Sequence, residues 1–404
     1  MRRVIPVGFA LVLLVAISGN CHGQSASDLQ QKAAALEQAG NTAEAATAWR
    51  AFLRVQPANA EGCAHLGLLE AQQEHYKEAV ALYRKALALD PSMPGLKMNL
   101  GLALFKEGEL KEAVQIFSPL LKSQPPNSAE ALRLKTLLGL SYYGQQQFAA
   151  AVPFLKDATA NDSQNLPFRL FLAHSCLGSK QYQCVLDIYR EILNLNAESA
   201  EADMLAGEAL DEMNDREGAT QQFRAAVKAN PQEPDVHFGL GYLLWTQSQY
   251  EEAAKEFQAE LANVPNHAHA MVYLGDSYIR MSNPDDALPY IKKALELDPK
   301  LELAHLDMGI LHTGSNRNEE ALREFKTAAQ LNPNDVNVHW RLARLYRSMG
   351  KKAEAAVEFA KTKNLTKVAD DSVFSKLKKT DVKEEPADRT KNAVTDKAES
   401  NAQR

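Results

Sequence analysis

YKEAVALYRKALALDP, residues 76–91, reads as an amphipathic helix closed by a proline, and the chain writes nearly the same helix several times. YEEAAKEFQAELANVP begins at 250, PDDALPYIKKALELDP at 284 and NEEALREFKTAAQLNP at 318. A helix returning at a fixed interval marks one structural unit repeated along the chain. Three rulers give the interval. Pro57, Pro91 and Pro125, and again Pro231, Pro265, Pro299 and Pro333, stand 34 residues apart within each set. Small residues keep the same step at Ala33, Gly67, Gly101, Gly139, Ala173, Gly207, Gly241, Gly275, Gly309 and Ala343. Ala45, Ala79, Ala113, Ala151, Val185, Ala219, Ala253, Ala287, Ala321 and Ala355 form the third series. All three place one four-residue insertion in PPNSAE, residues 125–130, and together predict about ten repeats from about residue 26 to 364.

Within a unit, apolar residues recur at three- and four-residue spacing, as in Leu240, Leu243 and Leu244 and then Ala253, Ala254 and Phe257. Two helices per unit follow. Pro94 and Pro234 fit a first helical position, where a missing N–H costs nothing. Polar breaks such as Lys106-Glu107-Gly108-Glu109 turn the chain, and the proline after the second helix stops it. Glycine inside a helix costs about 1 kcal/mol against alanine, yet seven of the ten units carry one. A close crossing of the two helices explains this, with Gly241 expected to face Ala253.

These units resemble the tetratricopeptide repeat. The unit from 268 shows Met271, Leu274, Gly275, Tyr278, Ala287, Ile291, Ala294 and Pro299 at the family's positions; the unit from 60 shows Cys63, Leu66, Gly67, Ala79, Tyr83, Ala86 and Pro91. Ser163 and Ala197 replace the final proline in the fourth and fifth units, and Val185 replaces an alanine. The resemblance implies an all-α, right-handed superhelical solenoid of about ten helix-turn-helix repeats, with the first helix of each (helix A) lining the concave side. A single hairpin cannot cover its own apolar stripe, so stacking supplies the core.

The ends differ from the middle. Arg2 and Arg3 precede an apolar run, Val4 to Ile17, and then SGNCHGQSA, the pattern of a secretory signal with cleavage near Gly23. Cys21 offers a lipoprotein alternative that Asn20 disfavours. A membrane tether is expected only if this segment stays uncleaved, and the location is extracytoplasmic, periplasmic or secreted. The chain thus divides into a signal peptide (1–23), a solenoid (24–364) and a short capping helix with a charged, disordered tail (365–404), SVFSKLKK at 372–379 supplying the cap. Net charge is −6, which gives no nucleic-acid partner. Residues 361–404 hold 11 Lys/Arg and 8 Asp/Glu, so the acidic excess falls on the repeats.

If the stack holds, repeat positions 2, 5, 9 and 12 point from helix A into the groove. They supply Met98, Leu102 and Phe105, then Tyr143, then Phe238, Tyr242 and Trp245, and finally Trp340, Arg344 and Arg347. Two readings stay open: an exposed stripe that binds a partner, or side chains packed between repeats. Cys176 and Cys184 lie equally far from the helical turn, either bridged or buried as two free thiols. His237, His305 and His339 share the fourth repeat position and read as packing residues, and no metal or cofactor is expected. There is no GxSxG, HExxH, phosphate loop or GxGxxG, so neither an enzyme nor a small-molecule substrate is expected. The lysine and asparagine clamp that some family members use to hold a terminal carboxylate is absent too. The resemblance implies a protein–protein interaction scaffold that takes a peptide or helix in its concave groove. A tethered accessory of secretion, pilus or polysaccharide export is the alternative, as is the regulatory arm of an enzyme complex.

Overall fold

A computed structural model describes residues 25–195 and 198–381, and over these the chain is an all-α helical-repeat solenoid of twenty helices. The N-terminal signal-like segment and the tail beyond residue 381 lie outside the described residues. The helices fall into two compact units, α1–α10 and α11–α20, each made of five repeats. No described helix is long and apolar enough to cross a membrane.

Local signals set the helix ends. Helix A is capped by a side chain that accepts a backbone N–H in seven repeats, from Ser25, Asn59, Ser128, Asn165, Ser199, His267 and Asp335. Its C-terminus closes the same way in all ten. The residue in the left-handed region is Gly40, Glu74, Gly108, Gln146, Lys180, Asn214, Ser248, Ser282, Asn316 or Gly350. The next residue's N–H then donates to a carbonyl five residues back at 2.8–3.0 Å, as His75 does to Glu70 and Gln249 to Leu244. This is a Schellman closure, and it aims helix B back along helix A. Helix B ends two residues ahead of the proline: α14 (Tyr250–Asn263) before Pro265, α16 (Pro284–Leu297) before Pro299, α18 (Asn318–Leu331) before Pro333. In the fourth unit α8 (Phe148–Asn161) stops at the same register without a proline.

Three sequence expectations change. Pro94 and Pro234 are not first helical residues, because α5 (Leu96–Glu107) and α13 (Val236–Thr246) begin two residues later. Gly95 and Asp235 follow them at φ +71° and +64° with ψ near zero, which makes each proline the second residue of a type II turn. The four-residue insertion becomes an extra turn on α7 (Ala129–Gly144), which has 16 residues where other A helices have 11 to 13. The cap segment 372–379 forms no separate helix but lies within α20 (Lys352–Asp381); its side chains are outside the described residues.

The crossing inside each repeat is the core. A Cβ on Gly241 would stand 2.8 Å from the Phe257 ring, so Phe257, one turn beyond Ala253, is the residue that needs the glycine. The same pairing joins Gly67 to Tyr83, Gly101 to Phe117, Gly139 to Leu155, Gly207 to Phe223, Gly275 to Ile291 and Gly309 to Phe325. All these partners are buried, and the alanine series beside them is buried as well.

In α17 (Glu302–Gly314) two glycines should respond oppositely. A Cβ at Gly309 would lie 2.4 Å from Phe325, whereas nothing stands within 4 Å of one at Gly314. Gly309→Ala should destabilise by about 1–3 kcal/mol through overpacking, and Gly314→Ala should stabilise by up to about 1 kcal/mol through helix propensity. Denaturant unfolding of both variants checks the pair.

Candidate functional site

Successive A helices touch one another in both units: α3 (Ala60–Gln72) with α5, α7 with α9 (Leu166–Gly178), and α11 (Ala200–Glu212) with α13. The contacts continue from α13 to α15 (Ala268–Arg280) and from α15 to α17. No two successive B helices reach comparable contact among the described residues. The A helices therefore form the narrow side of each unit's curvature, the side on which the candidate residues lie.

In the second unit these residues form a connected aromatic surface. Tyr273 of α15, which the groove positions did not include, lies at its centre. Its ring is 5.0 Å from Trp245, 5.4 Å from Tyr242 and 6.0 Å from Phe238, and burial pushes its hydroxyl up to about 12. Phe238 also packs 6.0 Å from the core ring of Phe257. Glu260 of α14, itself fully buried, fixes the start of α13 by accepting N–H bonds from Asp235 and Phe238 at 3.3 and 3.2 Å. Trp245 donates its indole N–H to Asp276 at 2.6 Å, and Arg280 bonds the same carboxylate at 3.1 Å while lying 5.6 Å over the Trp245 ring. Phe238 and Trp245 are thus half-buried between repeats. Tyr242 remains 37 % exposed.

Behind this surface lies a carboxyl that periodicity gave no reason to notice. Asp307 is fully buried, no donor faces either oxygen, and burial raises its pKa well above the usual carboxylate range, with Asp276 adding to the rise. In its neutral form its O–H can donate to Asp276. At the start of the same helix, burial pushes Glu302 up to about 7, Asp335 reinforcing the shift and His305 opposing it.

The remaining candidates are distributed. Trp340 on α19 (Val336–Ser348) is 39 % exposed with Arg344 stacked 4.6 Å over it, and Arg347 one turn on lies over Phe359 at 5.6 Å. In the first unit Met98, Leu102 and Phe105 are half-buried against the core, and Tyr143 packs 4.9 Å from Phe171. Cys176 and Cys184 are paired as a disulfide joining α9 to α10 (Tyr182–Asn194), their Cα atoms 5.9 Å apart; Cys63 is buried and free.

The histidines brace the stack. His237, His305 and His339 reach Glu256, Glu324 and Glu358 on their own repeat's second helix at 2.5–2.7 Å. His305 and His339 also contact the carbonyls of Pro299 and Pro333 from the preceding repeat. Asp235, Glu260 and His267 come close enough to hold an ion. However, His267 Nδ1 accepts the Ala270 N–H, which puts the proton on Nε2, where it donates to Asp235 at 2.8 Å. With Glu260 held by two backbone N–H groups, the cluster serves to join adjacent repeats.

Two tetratricopeptide repeat models match the chain, one over residues 70–138 and 312–367, the other over 31–94, 204–268 and 238–302. Together they cover more than half of it, and the protein belongs to the tetratricopeptide repeat family. No curated protein sequence matches. Solved structures that resemble it include MamA, at 21 % identity over 43 % of this chain and 94 % of that one, with a TM-score of 0.37. YrrB, described as a TPR protein with an unusual peptide-binding site, gives 20 %, 44 %, 91 % and 0.36 in the same order. The Cut9–Hcn1 assembly of the APC/C gives 15 %, 85 %, 75 % and 0.44.

The buried carboxyls make stability depend on pH. Folded Glu302 keeps its proton to about pH 7, whereas the unfolded chain releases it near the ordinary 4.5. Between those values the folded state binds more protons, so stability falls as pH rises through the window. Glu302→Gln should therefore lose less stability than the wild type between pH 5 and pH 8, measured as thermal midpoints at both.

Proposed function

We propose that the A-helix face of the second unit docks a protein partner, presented as an extended peptide or a helix, and that the chain is a non-catalytic scaffold working outside the cytoplasm. The observation that carries this reading is Tyr242. It is the open member of an aromatic cluster whose other rings are held rigidly from behind, and the repeat's own packing positions are filled without it. Pre-ordered aromatic anchors with one accessible ring suit binding, because little side-chain entropy is lost on contact. Tetratricopeptide repeats are a protein-interaction fold, which agrees. Asp276 is engaged with Trp245 and Arg280, and Asp307 is enclosed, burial raising its pKa well above the usual carboxylate range. A structural rather than a chemical role suits them. The extracytoplasmic setting rests on the leader pattern, and the pairing of Cys176 with Cys184 is compatible with an oxidising compartment.

Crosslinking the full chain in intact cell envelopes, followed by purification of the captured partner, tests the docking face and its compartment together. Tyr242→Ala should leave helicity and thermal midpoint near wild type and weaken the partner tenfold or more. Unchanged affinity would remove the aromatic face from the interface.

A further inference from the structure

The last repeat carries a second feature of the same face. A cleft of about 380 Å³ opens between α17 and α19, with Ile310 and Phe325 as apolar floor and Trp340, Arg341 and Arg344 at its rim. Elsewhere arginines near the A helices have carboxylate partners: Arg280 with Asp276, Arg169 with Glu191. Arg344 and Arg347 have none among the described residues and lie over aromatic rings instead. Among the described residues Arg341 donates to the neutral amide of Asn337, at 3.2 Å. Of the nearby acids, Asp307 and Asp276 act on Arg341 and Glu358 is held by His339 and Lys361, which leaves Arg344 and Arg347 as the uncompensated pair. Arg344 at the rim over an apolar floor, with Arg347 one turn beyond it, is a local reversal of sign in a chain of net charge −6.

We infer that this cleft binds an acidic stretch of a partner polypeptide, with carboxylate side chains on Arg344 and, one turn beyond the cleft, on Arg347, and an apolar side chain against Trp340 and the floor. The inference rests on the docking face proposed above and names the chemistry of its occupant. Spacing favours a run of acids over one terminal carboxylate. Arg344 lies over Trp340 and Arg347 over Phe359 of α20, so the two guanidiniums are turned to different rings and one carboxylate does not bridge them. Alternate side chains of an extended peptide lie about 7 Å apart on one face, which lets two acids meet two guanidiniums. Trp340, already stacked by Arg344, presents its remaining surface to an apolar side chain two positions from the acids, on the same face of the peptide.

The test uses the full chain and an array of N-acetylated, C-amidated decapeptides in which an aromatic residue is followed at every second position by glutamate, glutamine or lysine, with serine between. Glutamate peptides should bind the wild type at least tenfold more tightly than glutamine peptides at low salt, and the preference should collapse in 1 M salt. Both arginines are exposed, so R344Q/R347Q should keep its fold while the preference drops below threefold. Equal binding of glutamate and glutamine peptides, or an undiminished preference in the double variant, overturns the inference but leaves the docking face standing. Failure of the wild type to hold any peptide contradicts the docking face itself. A gain of glutamate-peptide affinity in E384Q/E385Q would assign the cleft to the chain's own C-terminal acids and overturn the partner assignment.

Discussion

A ring or branched side chain from helix B lies where a Cβ of helix A would otherwise stand, and this happens in seven repeats. The contact sets how closely the two helices of a unit approach, and so the angle at which the next unit must be added. A glycine that weakens an isolated helix is retained because the alternative is a clash with a buried Phe, Tyr, Leu or Ile. Each hairpin built this way is two helices thick, leaves an apolar flank uncovered, and is completed by its neighbours. The histidine–glutamate pairs and their proline carbonyl contacts repeat the same logic in polar form.

Much of this is written in the sequence, because a period of 34 survives wherever proline, glycine and alanine are each constrained by one contact. The partner of the glycine is harder to read. Ala253 and Phe257 lie on the same face one turn apart, and only the rotation of helix B about its axis chooses between them. The ten left-handed closures are nearly invisible, since only Gly40, Gly108 and Gly350 among them are glycines and the rest are polar residues of many kinds. Pro94 and Pro234 misled for a related reason: proline suits a first helical turn and the second place of a type II turn equally well.

The candidate face was legible in part. Phe238, Tyr242, Trp245 and Trp340 fall on helix A as the register required, but the register does not say how far each ring sinks between repeats. Tyr273 escaped because its position is outside the groove pattern, although from α15 it joins the three rings of α13. Asp276 and Asp307 escaped because burial of a carboxyl is a property of its surroundings and leaves no periodic trace. What emerges is a surface whose charges are largely committed to one another in the middle and uncommitted at the last repeat.

If the helix crossing governs the stack, weakening it should act locally, because each unit contacts only its neighbours. Native-state hydrogen exchange resolved by helix, compared between the wild type and the Gly309 variant, measures this most directly. The account predicts lost protection in α17 and α18, less in α16 and α19, and little in α11 and α12 (Arg216–Ala229). Uniform loss across α11–α19, or loss unrelated to distance along the stack, would contradict it.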